Sequence, residues 1–214
     1  MIKVKICGLR DARAVAAAVD SGVDYVGFMF YARSPRYVAP ALAAEIAHGI
    51  PRRMFKVGVF VDADDAAIGA ILKQAPLDML QLHGGETPER AAQIRAHFAL
   101  PVIKAIAVGG EADIARARTY QDAADMLLFD ARPPSTPGAL PGGNGLAFDW
   151  TLIRSANWER PWMLSGGLNT GNLEEAVRIS GARMVDVSSG VESAPGVKDS
   201  IKIRDFTATA KRLA

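Results

Sequence analysis

The chain has 214 residues, 50% hydrophobic and 22% charged, a balance that suits a globular protein with one sizeable core. Its 25 basic and 23 acidic side chains leave a net charge of +2, and without a basic run this gives no footing for binding nucleic acid or an anionic membrane. One cysteine excludes an internal disulfide scaffold and cannot alone hold a metal. The opening MIKVKICGLRD interrupts each apolar stretch with a charge, unlike a signal peptide or membrane span, so a cytoplasmic protein is expected.

Short β-rich runs then alternate with alanine-rich periodic ones. Strands are predicted over 2–7, 24–30, 55–61, 78–82, 101–106, 125–129, 162–165 and 183–187. The intervening helices are predicted over 11–20, 40–48, 64–74, 88–97, 111–118, 148–155, 170–180 and 199–212. Asp11, Thr87-Pro88 and Asn169 supply helix starts, and Gly22 and Gly181 supply stops. Eight strand–helix units imply an α/β fold with a parallel sheet closed into a single-domain (β/α)8 TIM barrel over residues 1–214. Segment 131–147, ARPPSTPGALPGGNGLA, is too long for a routine connection. Its place between the sixth strand and sixth helix favours a lid over the catalytic end rather than a linker.

Chemistry in such barrels sits at the carboxyl ends of the strands. Alternation along the first strand turns Ile2, Val4 and Ile6 toward the helices and Lys3, Lys5 and Cys7 inward. A lysine next to Cys7 would favour the reactive thiolate. On the sixth strand Met126, Leu128 and Asp130 share the inward parity, which makes Cys7 and Asp130 a candidate base and acid. The residues alone leave open a space-filling cysteine and an aspartate that caps a turn. Met79, Gln81 and His83 share a face of the fourth strand, and His83 is a candidate for orienting a ligand. With His48 and His97 placed on helices, the three histidines make no zinc site.

Glycine-rich junctions follow the seventh and eighth strands, in LSGGLNTGN and VSSGVES. Loops in these two positions often bind phosphate, helped by the amino end of a short helix, here expected near Ser189. Tight turns without a ligand would use the same glycines. Arg36, after Ser34-Pro35, is able to pair with a carboxylate or to sit in solvent. P-loop, dinucleotide and serine-hydrolase motifs are absent.

Read together, KICGLR at 5–10, GFMFYARSPRYV at 27–38, VGVFVD at 57–62 and LQLHG at 80–84 resemble the phosphoribosylanthranilate isomerases of tryptophan biosynthesis. So do LLFDA at 127–131, PGGNGLAFDW at 141–150, LSGGL at 164–168 and DVSSGVE at 186–192, in order along essentially the whole chain. The resemblance implies an Amadori rearrangement of N-(5-phosphoribosyl)anthranilate to 1-(2-carboxyphenylamino)-1-deoxyribulose 5-phosphate, without a redox cofactor or metal. It assigns the base to Cys7, the acid to Asp130, and the substrate's carboxylate to Arg36. Phosphate falls to the loops around Gly166, Gly167, Ser188, Ser189 and Gly190; His83, from its own position, is expected as a further substrate-binding residue. Asn144 stands where the family often has a small hydroxyl residue, a departure confined to the lid. Two rivals differ in visible features: the histidine-pathway isomerases use paired aspartates and repeated halves, and a non-catalytic phosphosugar-binding barrel would not need Cys7 or Asp130. A monomer is expected, with no macromolecular partner.

Overall fold

The computed structural model describes residues 1–134 and 140–213, so Ser135 to Ala139 of the predicted lid lie outside the described residues. Eight parallel strands close on one another in sequence order: β1 (Lys3–Cys7), β2 (Tyr25–Met29), β3 (Phe55–Phe60), β4 (Met79–Leu82), β5 (Val102–Val108), β6 (Met126–Ala131), β7 (Trp162–Leu164) and β8 (Met184–Val187). Around them run α1 (Ala12–Ser21), α2 (Pro40–Ala47), α3 (Asp65–Leu72), α4 (Pro88–Phe98), α5 (Glu111–Arg118), α6 (Thr151–Arg154), α7 (Leu173–Ser180) and α8 (Ser200–Arg212). The predicted (β/α)8 barrel is the observed one. Among the described residues no helix is long and apolar enough to cross a membrane.

Asp11 and Thr87 cap α1 and α4 by accepting the N–H of Ala14 and Arg90, and Gly22 and Gly181 end α1 and α7. Asn169 does not start α7. It makes a tight turn to the N–H of Gly171, and the helix begins three residues later after Asn172. The predicted sixth helix shrinks to the single turn Thr151–Arg154, at whose start the Asp149 carboxylate accepts the N–H and hydroxyl of Thr151. β5 and β6 extend each other beyond their predicted ends, pairing Ala107 with Asp130 and Val108 with Ala131. Asp130 is therefore inside its strand, where the ladder fixes its backbone. One element was not expected: β9 (Glu192–Ala194) and β10 (Val197–Lys198) form a small antiparallel pair before α8.

Strand alternation separates two apolar layers. Val4, Ile6, Val26, Phe28, Leu80, Leu127 and Phe129 face outward and pack beneath the helices. Tyr25, Val57, Met79, Ile103, Met126, Leu128, Met163 and Met184 fill the barrel interior. Each fully buried aliphatic or aromatic side chain among them stabilises the fold by about 1.5–3 kcal/mol. Lys3, despite its inward parity, is exposed at the amino end of β1, whereas Lys5 is fully buried.

Lys5 and Asp186 are register partners on β1 and β8, and their charges meet at 2.9 Å. Burial disfavours the Lys5 ammonium, but the Asp186 carboxylate and the Cys7 sulfur outweigh it and raise the lysine above its ordinary value. Removing one partner leaves the other charge buried alone. Asp186→Asn should therefore cost about 3–5 kcal/mol of unfolding free energy in a urea titration; a loss below about 1 kcal/mol would show that the pair does not hold the barrel centre.

Candidate active site

The closed barrel arranges the candidate residues around one mouth. In strand order they are Cys7 ending β1, Arg36 after β2, His83 after β4, Asp130 in β6, Gly166-Gly167 after β7, and Ser188-Ser189 after β8. Cys7 and Asp130 thus stand three strands apart by way of β7 and β8, and five apart by way of β2. The two glycine-rich loops lie in the shorter arc, and Arg36 and His83 in the longer one. All of these residues line a single pocket, together with Leu140 to Leu146 of the long loop. Gly190 does not line it and packs instead against the backbone of Leu168.

Cys7 pairs in register with Gly27 of β2, and a Cβ there would come within 2.9 Å of the Cys7 sulfur. Glycine at position 27 is what lets the thiol lie across the neighbouring strand. Beneath Cys7, Lys5 is committed to Asp186, whose other oxygen accepts from the Ser165 hydroxyl at 3.3 Å. Burial pushes the thiol above its ordinary value. Lys5 and Lys198 pull it down, Asp186 pushes it up again, and the net direction is upward. The expectation that Lys5 would favour the thiolate is thus reversed overall, because a buried site and a carboxylate oppose the ammonium.

Across the mouth, Asp130 accepts the N–H of Ala131 on Oδ1 at 2.9 Å. Its Oδ2 lies 3.2 Å from His83 Nε2, and His83 Nδ1 lies 2.8 Å from the side-chain amide of Gln81. His83 therefore has both ring nitrogens engaged by protein groups. The lid passes directly over this pair: a Cβ on Gly142 would stand 2.5 Å from His83 Nε2 and 2.7 Å from Asp130 Oδ2. Only a residue without a side chain lets the backbone approach so closely. Asn144 donates to the Leu140 carbonyl and so ties the loop to itself.

Arg36 is buried, not a solvated loop residue. Its Nε and one Nη grip Glu192 at 2.8 and 2.9 Å, and the same Nη donates to the Gly143 carbonyl. The second Nη faces the lid beside Gly143. Glu192 also receives Lys198 at 2.7 Å, and Lys198 donates to the backbone and hydroxyl of Ser188. Burial works to raise the Glu192 carboxyl, but Arg36 and Lys198 together hold it below its ordinary value. The Ser188 hydroxyl donates to the Cys7 carbonyl at 3.1 Å, so one network joins the arginine to the last barrel loop and to the thiol's backbone.

After β7, the N–H groups of Gly166 and Gly167 meet no acceptor among the described residues, which leaves donors for an anion. The short helix expected near Ser189 is a single 3-10 turn, Ser189–Val191. Among the described residues no three His, Cys, Asp or Glu side chains are arranged to hold a metal. Sequence reasoning missed Glu192, Lys198, Asp186 and Gln81 as parts of the site. Glu192 and Asp186 stood in DVSSGVE and Gln81 in LQLHG without a role, and nothing about Lys198 marks it before β10 turns it inward.

The chain matches a family model described as N-(5'-phosphoribosyl)anthranilate (PRA) isomerase over residues 4–209. The N-(5'-phosphoribosyl)anthranilate isomerase of Rhodospirillum centenum is 56% identical over 212 residues, which is 99% of each chain. Among solved structures, the phosphoribosylanthranilate isomerase of Thermotoga maritima superposes with a TM-score of 0.89 at 38% identity, covering 99% of this chain and 100% of that one. A structure of monomers generated from that dimeric Thermotoga enzyme gives a TM-score of 0.84 at 37% identity, with the same coverage.

Because Cys7 is the lone cysteine, its thiolate absorbance near 240 nm is free of other thiols. The titration should have its midpoint above the ordinary thiol value of about 8.5. A midpoint below that value would mean that Lys5, not burial, governs the sulfur.

Proposed function

The chain belongs to the N-(5'-phosphoribosyl)anthranilate isomerase family and catalyses the Amadori rearrangement of tryptophan biosynthesis, and we propose that Cys7 and Asp130 are its base and acid. The observation that carries this reading is their separation across one pocket, with anion-binding groups in both arcs between them. The substrate's phosphate lies against the Gly166, Gly167, Ser188 and Ser189 loops, with Gly190 shaping the turn. Its carboxylate meets the free Nη of Arg36, whose other donors are spent on Glu192 and Gly143. Holding the substrate at both ends supplies orientation between acid and base.

Asp130, protonated at the outset, gives its proton to the furanose ring oxygen. The C1–O bond breaks, and the anthranilate nitrogen's electrons form a Schiff base at C1. The Cys7 thiolate then removes the proton from C2, and that electron pair moves toward the Schiff-base nitrogen to give the enolamine. Transfer of the C2 hydroxyl proton to the Asp130 carboxylate and of the Cys7 thiol proton to C1 yields the ketone and returns both groups to their starting states. Protons balance over the cycle, and no oxidant or reductant is needed. The long loop covers the reacting carbons, as the approach of Gly142 to His83 and Asp130 supports. One chain supplies every residue named, which supports a monomer as the working unit; a dimer persisting in sedimentation at low concentration would overturn that part.

Cys7→Ser and Asp130→Asn should each lower kcat by about 100-fold or more while KM stays within a few-fold. Substrate fluorescence follows the turnover, and parental kcat in either variant would remove that residue's role.

A further inference from the structure

Lys198 takes no part in the proton transfers, yet its side chain is wholly buried. β10 places it opposite Glu192, its register partner on β9. Its Nζ reaches the Ser188 carbonyl at 2.9 Å, the Ser188 hydroxyl at 3.1 Å and Glu192 Oε1 at 2.7 Å. Burying a lysine head is costly unless its hydrogens find acceptors. Here two of the three acceptors belong to one residue of the loop after β8.

The carbonyl contact fixes more than the carbonyl. Its direction is unambiguous, because a carbonyl oxygen only accepts. No peptide bond among the described residues is cis, and in a planar trans peptide the carbonyl and the following N–H point to opposite sides. With the Ser188 carbonyl turned to Lys198, the Ser189 N–H is turned away from it. Lys198 does not line the pocket, whereas Ser188 and Ser189 do, so the side away from the lysine is the pocket side. The Ser189 N–H meets no acceptor among the described residues. Val191 N–H also approaches the Ser188 carbonyl, but only at 3.4 Å, so Lys198 makes the closer hold.

The Ser188 hydroxyl is committed as well. It lies 3.1 Å from the Cys7 carbonyl, which can only accept, and its single hydrogen goes there. Its oxygen takes the Lys198 contact. No side-chain hydrogen of Ser188 is left for an anion. Gly190, farther along the loop, packs against the Leu168 carbonyl and sets this loop beside the one that carries Gly166 and Gly167. We infer that Lys198 is a positioning residue of the phosphate site: it holds the Ser188–Ser189 peptide from the protein side, so that the Ser189 N–H, and not the Ser188 hydroxyl, meets the phosphate. This rests on the last two barrel loops being the phosphate site.

Inorganic phosphate is the probe, bound in crystals of the parent and used as a competitive inhibitor of turnover. In the parental crystal the Ser189 nitrogen should lie within about 3.2 Å of a phosphate oxygen, with the Ser188 carbonyl still on Lys198. Lys198→Met keeps the apolar stem and removes the donor. Its inhibition constant for phosphate should rise about tenfold, the scale of one hydrogen bond to a charged group. Inhibition by anthranilate, which reports the carboxylate end, should stay within about two-fold; a loss of packing alone would weaken both. Phosphate held in the parent by the Ser188 hydroxyl, with the Ser189 N–H turned elsewhere, would overturn the inference without any variant having to fold. An unchanged phosphate constant in Lys198→Met, or equal weakening of phosphate and anthranilate, would also overturn it. Failure of the phosphate assignment would look different: the parental crystal would show phosphate away from both loops, and the role of Lys198 would fall with it.

Discussion

In the middle of the barrel, where its neighbours are methionines and branched aliphatics, a lysine ammonium sits wholly out of water. That position is tolerable only because Asp186, its register partner on the adjoining strand, brings a carboxylate to 2.9 Å. The pair closes the seam between the first and last strands, and it sets the electrostatics of the thiol directly above. An uncommitted lysine would have stabilised a thiolate; a lysine engaged by aspartate in a buried site does so only in part. The site therefore holds a thiol whose ionisation is costly, chiefly through burial, with the pair that secures the fold acting on it in opposite senses.

A second network repeats the logic at the rim. Arg36 brings one cation, Lys198 another, and Glu192 between them holds both. Two cations around one carboxylate leave a net positive charge beside a pocket that must accept a phosphorylated and carboxylated substrate. The small β9–β10 pair exists in sequence only as a short interval before α8, yet it turns Glu192 and Lys198 inward. In this way a feature added after the eighth strand serves the arginine that follows the second.

The barrel was legible because its signals are local and repeated: period-two apolar runs, alanine-rich periodic runs, and caps such as Asp11 and Thr87 that act through their own neighbours. That Cys7 and Asp130 face one pocket at the barrel mouth was legible through their inward parity. What stayed hidden depends on contacts between distant residues. Nothing near Glu192 announces that it will bind a guanidinium 156 residues away, and Gln81 reads as an ordinary strand residue until His83 and Asp130 are brought together. Asn169 misled for the opposite reason. Its side chain does make the local hydrogen bond expected of a cap, but spends it on a turn before the helix.

Which end of the substrate meets which side of the mouth decides the proposed roles of Cys7 and Asp130. A crystal structure with a reduced, unreactive form of the open-chain product tests that arrangement most directly. Phosphate should lie on the Gly167 and Ser189 loops and carboxylate on Arg36, with the Cys7 sulfur nearest C2 and Asp130 Oδ2 nearest the oxygen that had closed the ring. A ligand lying the other way, with that oxygen beside Cys7 or phosphate on Arg36, would contradict it.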